Sequence, residues 1–192
     1  MSFKSVMIVG VGGQGSLLAS RILGNVLLSE GFEVKVSEVH GMSQRGGSVV
    51  TYVKYGDKVY SPVIEKGEAD LIISFEQLEG ARYVPYLKKN GQIVVSTQTI
   101  EPMPVITGKA KYPENIIDKL KNEGIDVTAV DALGLAEQAG SSKASNVVLM
   151  GVVSTKLGFT KEVWIKALEE CVPAKFLEMN KKAFDLGVSA AN

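Results

Sequence analysis

Phe3–Gly15 (FKSVMIVGVGGQG) and its continuation Ser16–Val39 (SLLASRILGNVLLSEGFEVKVSEV) decide the fold. Phe3–Val9 is a short apolar run ending in glycines, which predicts a buried strand. Leu17, Leu18, Ile22, Val26 and Leu27 then recur at helical spacing until Gly31, a predicted helix stop. Glu33–Val39 is rich in β-branched residues and predicts a second strand. Strand, glycine turn, helix and strand open a doubly wound α/β fold. Gly10, Gly12 and Gly15 fit G-x-G-x-x-G at that turn. Backbone bare of side chains at a helix N-terminus admits a phosphate, and Glu38 or Glu33 near the end of the next strand would suit a ribose hydroxyl. The same glycines equally permit a tight turn with close strand–helix packing and no ligand.

Further along, His40–Gly47 (HGMSQRGG) is a polar loop, and Ser48–Tyr55 reads as a strand. Gly56-Asp57 signals a hairpin into Lys58-Val59-Tyr60, an antiparallel excursion from the parallel pattern. Asp70–Phe75 resumes the buried strands, a helix follows through Leu87, and Asn90-Gly91 turns into the strand Gln92–Thr97. A loop with Pro102, Pro104 and Pro113 leads to a helix over Glu114–Glu123 and a strand over Asp126–Val130. The last third is helical over Val147–Lys156, Lys161–Cys171 and Ala174–Leu186. Ser145 and Asn146 suit a cap, as does Thr160, and Gly187 suits a stop. The expectation is one Rossmann-like domain over residues 1–192, with a mostly parallel sheet, an antiparallel hairpin excursion and a helical C-terminal third.

Composition narrows the function. The 21 basic residues balance the 21 acidic ones, so no basic surplus points to nucleic acid or an anionic membrane. The uncharged stretch from Ser5 to Ser20 is glycine-broken and too short for a membrane span, and it lacks the features of a signal peptide. A cytoplasmic protein is expected. A single cysteine, Cys171, excludes a multi-cysteine cluster, and a single histidine, His40, excludes a multi-histidine zinc site. No metal or redox cofactor is therefore expected on this chain.

The loop after the second strand gathers Glu38, His40, Ser43, Gln44 and Arg45, spaced by Gly41 and followed by Gly46 and Gly47. Arg45 suits paired hydrogen bonds to a carboxylate or phosphate. His40 is the one residue that titrates near neutrality, as a catalytic group or as a histidine ordering the loop. Ser43 and Gln44 suit loop ordering or donation to a partner or phosphate. Cys171 reads as packing, having no evident activating base, and Trp164 with Leu168 as core. Glu76 and Glu79 suit either a cleft or the first turn of a helix.

GVGGQG (Gly10–Gly15) paired with SEVHGMSQRGGSV (Ser37–Val49) resembles the gamma-type domain of 2-oxoacid:ferredoxin oxidoreductases, most of all the indolepyruvate-type beta subunits. YSPVI (Tyr60–Ile64), GEADLIISFEQLEGARY (Gly67–Tyr83) and PAKFLEMNKKAFDLG (Pro173–Gly187) extend the resemblance over nearly the whole chain. Such enzymes oxidatively decarboxylate 2-oxoacids to acyl-CoA and pass electrons to ferredoxin. The resemblance implies thiamine diphosphate and [4Fe–4S] clusters on a companion subunit, coenzyme A in the complex, and ferredoxin as an indirect partner. It implies a chain inactive alone, whose turn Gly10, Gly12, Gly13, Gln14 and Gly15 meets an anion or partner. The loop Glu38, His40, Ser43, Gln44, Arg45, Gly46 and Gly47 would then face substrate, coenzyme A or an interface. An exposed partner face would favour self-association in isolation. Two other readings stay open: a free-standing dinucleotide-dependent dehydrogenase, and a coenzyme A- or nucleotide-binding regulatory module.

Overall fold

The structure is a computed structural model that describes residues 4–40 and 46–191, with the backbone alone at His40. β1 (Ser5–Val11) runs into the glycine turn and α1 (Ser16–Ser29), then β2 (Glu33–His40). α1 ends as expected. Gly31, at φ 84°, and Phe32 donate to the Leu28 and Leu27 carbonyls, and this closes the last turn. β3 (Ser48–Gly56), β4 (Ala69–Ser74), α2 (Gln77–Tyr83) and β5 (Leu87–Ser96) follow. Next come the short α3 (Met103–Ile106), α4 (Ile116–Asn122), β6 (Asp126–Val130) and α5 (Ala132–Ala139). The chain ends on α6 (Ser145–Leu157), α7 (Lys161–Cys171) and α8 (Leu177–Ala190).

Among the described residues, six strands form one sheet in the order β2-β3-β1-β4-β5-β6. β1, β4, β5 and β6 pair in parallel, while β3 runs antiparallel to both β1 and β2. The expected antiparallel hairpin is present, and it is built into the sheet beside β1. It pairs β3 with β2, and Lys58–Tyr60 forms no strand, which corrects the expectation at Gly56-Asp57. The reason is competition. Pairing on both edges places β3 between β1 and β2, so β3 itself has no free edge for Lys58–Tyr60 to join.

Side chains alternate between two faces, and each face has its own core. Ile8, Val53, Leu71 and Val94 pack beneath α1 and the C-terminal helices, with Trp164, Leu168 and Phe184 fully buried. Met7, Val50, Ile72 and Ile93 meet α2 and α4 on the other face. Gly187 is not a stop, because α8 continues to Ala190. It sits where α8 crosses α6. A Cβ there would lie 2.9 Å from the Val148 carbonyl carbon and 3.2 Å from the Gly151 Cα. Helix contact outweighs the local signal. Leu87 likewise begins β5 instead of ending a helix. Asn90 and Gly91 lie inside β5, where the register against β4 shifts and Asn90 takes φ 65°.

Candidate functional site

The turn is braced by its own side chain. Gln14 folds back so that its Oε1 accepts the Val11 N–H at 2.7 Å. Its Nε2 donates to the Phe75 carbonyl and to Gln98 Oε1, both at 3.0 Å. A Cβ on Gly10 would stand 2.9 Å from both Gln14 Oε1 and Phe75 Cβ, so that glycine makes room for the amide. Gly15 is left-handed at φ 84°, the conformation that starts α1. Asn146 reaches it from the start of α6. Buried at 3% exposure, it donates from Nδ2 to the Gly15 carbonyl at 3.2 Å and accepts the Val147 N–H at 2.8 Å. Ser145 and Asn146 suit a cap by sequence, but both lie inside α6, which has no side-chain cap; Asn146 instead ties two helix starts together.

The last two residues of the polar loop, Gly46 and Gly47, meet this turn. Gly12 donates its N–H to the Gly47 carbonyl at 2.8 Å, and Gly46 donates to the Gly12 carbonyl at 3.3 Å. Gly10, Gly12, Gly13, Gln14, Gly15, Gly46 and Gly47 thus meet at the C-terminal end of β1, the ligand-binding end of doubly wound sheets. Glu38 lines the same end, with Thr51 Oγ1 3.5 Å from its carboxylate. Ser43, Gln44, Arg45 and the side chain of His40 lie outside the described residues.

Among the described residues, two clefts flank the turn. One, of about 380 Å³, is lined by Gly12, Gly13, Gly15, Leu17, Glu38 and Val49. The other, of about 440 Å³, is lined by Gly13, Gly15, Gln98, Ser142, Lys143 and Ser145. Ser142, Lys143 and Gln98 carry no recognised motif in the sequence. The available signal was SSKAS (Ser141–Ser145), a small polar run before an apolar helix.

Behind the turn, Glu76 and Glu79 are structural. Glu76, 1% exposed, caps α2 by accepting the Glu79 N–H at 2.8 Å and holds the Ile100 N–H and the Tyr112 hydroxyl. Burial, and then that carboxylate, push the Tyr112 hydroxyl well above its ordinary range. Glu79 accepts from Ser48 Oγ at 2.5 Å and pairs with Arg82 at 3.5 Å.

The residues do not fit an iron–sulfur cluster. Cys171, the one cysteine of the sequence, is partly buried, with Asn25 Nδ2 3.3 Å from its sulfur. Burial, then Glu170, push its thiol up, which suits packing rather than ligation or attack. Among the described residues, no three His, Cys, Asp or Glu side chains gather into a metal site. No helix among them is long and apolar enough to cross a membrane.

Fold and site define a class: a doubly wound α/β module whose glycine turn is filled by its own Gln14 amide and presents an open face with two clefts. The match to the family described as Pyruvate ferredoxin/flavodoxin oxidoreductase runs over residues 5–190. Indolepyruvate oxidoreductase subunit IorB of Pyrococcus horikoshii is 44% identical, aligned over 100% of this chain and 97% of that protein. The subunit of that name from Thermococcus kodakarensis is 43% identical, with the same coverage of both. The crystal structure of a keto/oxoacid ferredoxin oxidoreductase gamma subunit from Geobacter sulfurreducens superposes with a TM-score of 0.73 at 25% identity, covering 98% of each chain. The chain belongs to the pyruvate ferredoxin/flavodoxin oxidoreductase family, as a subunit of the 2-oxoacid:ferredoxin oxidoreductase type. The resemblance read from the paired motifs is borne out, and the free-standing dehydrogenase is the disfavoured reading. The structure adds a physical reason against it, since the Val11 and Gly12 N–H groups are already engaged by Gln14 and Gly47.

Proposed function

We propose that this chain is the cofactor-free subunit of an oxidoreductase acting on indolepyruvate or a related aryl 2-oxoacid. In this reading its glycine-turn face docks on a companion subunit that carries thiamine diphosphate and [4Fe–4S] clusters. Coenzyme A enters beside that face, and ferredoxin takes electrons from the companion. The observation that carries the reading is the Gly12–Gly47 hydrogen bond, which makes one surface of two motifs far apart in the chain. The IorB relatives, aligned along nearly their whole length, support the aryl substrate. Leu17, 48% exposed on the rim of the smaller cleft, is apolar surface of the kind a partner covers, and it favours self-association when the partner is absent. A cytoplasmic location suits an enzyme that reduces ferredoxin.

Co-expression with the companion subunit tests this. The expected result is a complex holding iron and thiamine diphosphate that reduces ferredoxin with indolepyruvate and coenzyme A, while the isolated chain does none of this. Turnover by the solitary chain, or failure to associate with a thiamine-dependent subunit, would overturn it.

A further inference from the structure

We infer that Glu79 is a positioning residue for the glycine-turn face, acting through Ser48 from the opposite side of the sheet. The inference rests on the proposed role of that face. Ser48 opens β3 and pairs in register with Val11, the last residue of β1 before the turn. Strand alternation places Ser48 and Val50 on the α2 face and Val49 on the α1 face. Val50 packs with the α2-side core and Val49 lines the smaller cleft, which agrees with that assignment.

Glu79 is 5% exposed, and both its oxygens are used. Oε2 takes the Ser48 hydroxyl at 2.5 Å and Oε1 faces Arg82 Nε at 3.5 Å. A buried carboxylate is costly to desolvate unless it is paired and hydrogen-bonded, so both partners matter to it. Its own backbone is held in turn, because its N–H is bound by the nearly inaccessible Glu76, which also secures Ile100 and Tyr112. A fixed carboxylate on α2 therefore meets the first residue of β3. The residue before Ser48 is Gly47, whose carbonyl receives the Gly12 N–H, and the residue after it is the cleft-lining Val49. Displacing Ser48 displaces both. Glu79 lies on the far face from the smaller cleft and lines neither cleft, so its influence is positional.

The test uses Ser48→Ala, Ser48→Thr and Glu79→Gln, each examined as the full chain and in the co-expressed complex. Ser48→Ala and Glu79→Gln should speed hydrogen exchange at Gly46–Val50 about fivefold to tenfold, the equivalent of one hydrogen bond. They should lower kcat of the complex by a similar factor, with its iron and thiamine content unchanged. Ser48→Thr keeps the hydroxyl and should restore both readouts. Unaltered exchange in Ser48→Ala and Glu79→Gln would overturn the inference, and so would a Ser48→Thr variant as impaired as Ser48→Ala. A wild-type complex without turnover would sink the proposed function, while the exchange measurement would still judge the role of Glu79.

Discussion

Replacing Gly15 by alanine probes the joint between the two helix starts. At φ 84° and ψ 28° an alanine pays a left-handed strain of about 1–2 kcal/mol. Its Cβ would overlap the Asn146 amide nitrogen and stand 3.3 Å from Asn146 Cγ. Asn146 is 3% exposed and has little room to retreat. Moving it sacrifices two hydrogen bonds, to the Gly15 carbonyl and from the Val147 N–H, about 1 kcal/mol each. Gly15→Ala should therefore destabilise the chain by about 3–4 kcal/mol. Asn146→Ala alone should cost about 2 kcal/mol for the same two hydrogen bonds. In the double variant the overlap is gone and only the strain and the lost bonds remain, about 3–4 kcal/mol, so the two costs couple by about 2 kcal/mol. Urea unfolding of the four chains, followed by far-ultraviolet circular dichroism, measures the cycle. Costs that add within about 0.5 kcal/mol would refute the reasoning, because they would mean that Asn146 does not occupy the space beside Gly15.

Gly187→Ala should destabilise the chain by about 1–3 kcal/mol despite alanine's higher helix propensity, because the new methyl meets backbone of α6; a melting temperature equal to or above wild type would contradict this. Gln14→Glu retains an acceptor for the Val11 N–H but sets a carboxylate against the Phe75 carbonyl and Gln98 Oε1. Its cost at pH 7 should be about 2–3 kcal/mol. Burial among acceptors raises the new carboxyl's folded pKa, so the deficit should shrink as pH falls and the protonated form donates again. A deficit independent of pH between 7 and 5 would count against the brace. Cys171, its thiol pushed up by burial and Glu170, should alkylate with iodoacetamide at pH 8 more slowly than free cysteine and speed up only at higher pH; a faster reaction would show an activated thiolate.

Much of the molecule was legible in one dimension where the signal is local. The apolar run before Gly10, the helical spacing from Leu17 to Leu27 and the stop at Gly31 all describe residues whose neighbours in space are neighbours in sequence. The misread elements are those decided by distant contacts. Gly187 looks like a helix end until α6 crosses it, and Lys58–Tyr60 looks like a strand until β3 is seen paired on both sides. Glu76 and Glu79 suited a cleft or a helix start on sequence grounds; they are the cap and first turn of α2, and only burial excludes the cleft.

By itself the sequence determined the fold class, the family and the poverty of this chain in redox ligands, because periodicity, motif pairing and residue counts need no coordinates. Tertiary structure alone decided that the glycine turn is filled by Gln14, that Gly47 closes on Gly12, and that Asn146 and Glu79 hold the assembly from either side. Those contacts join residues remote along the chain, and whether a donor is free for a ligand or already spent depends on which remote acceptor folding brings within about 3 Å.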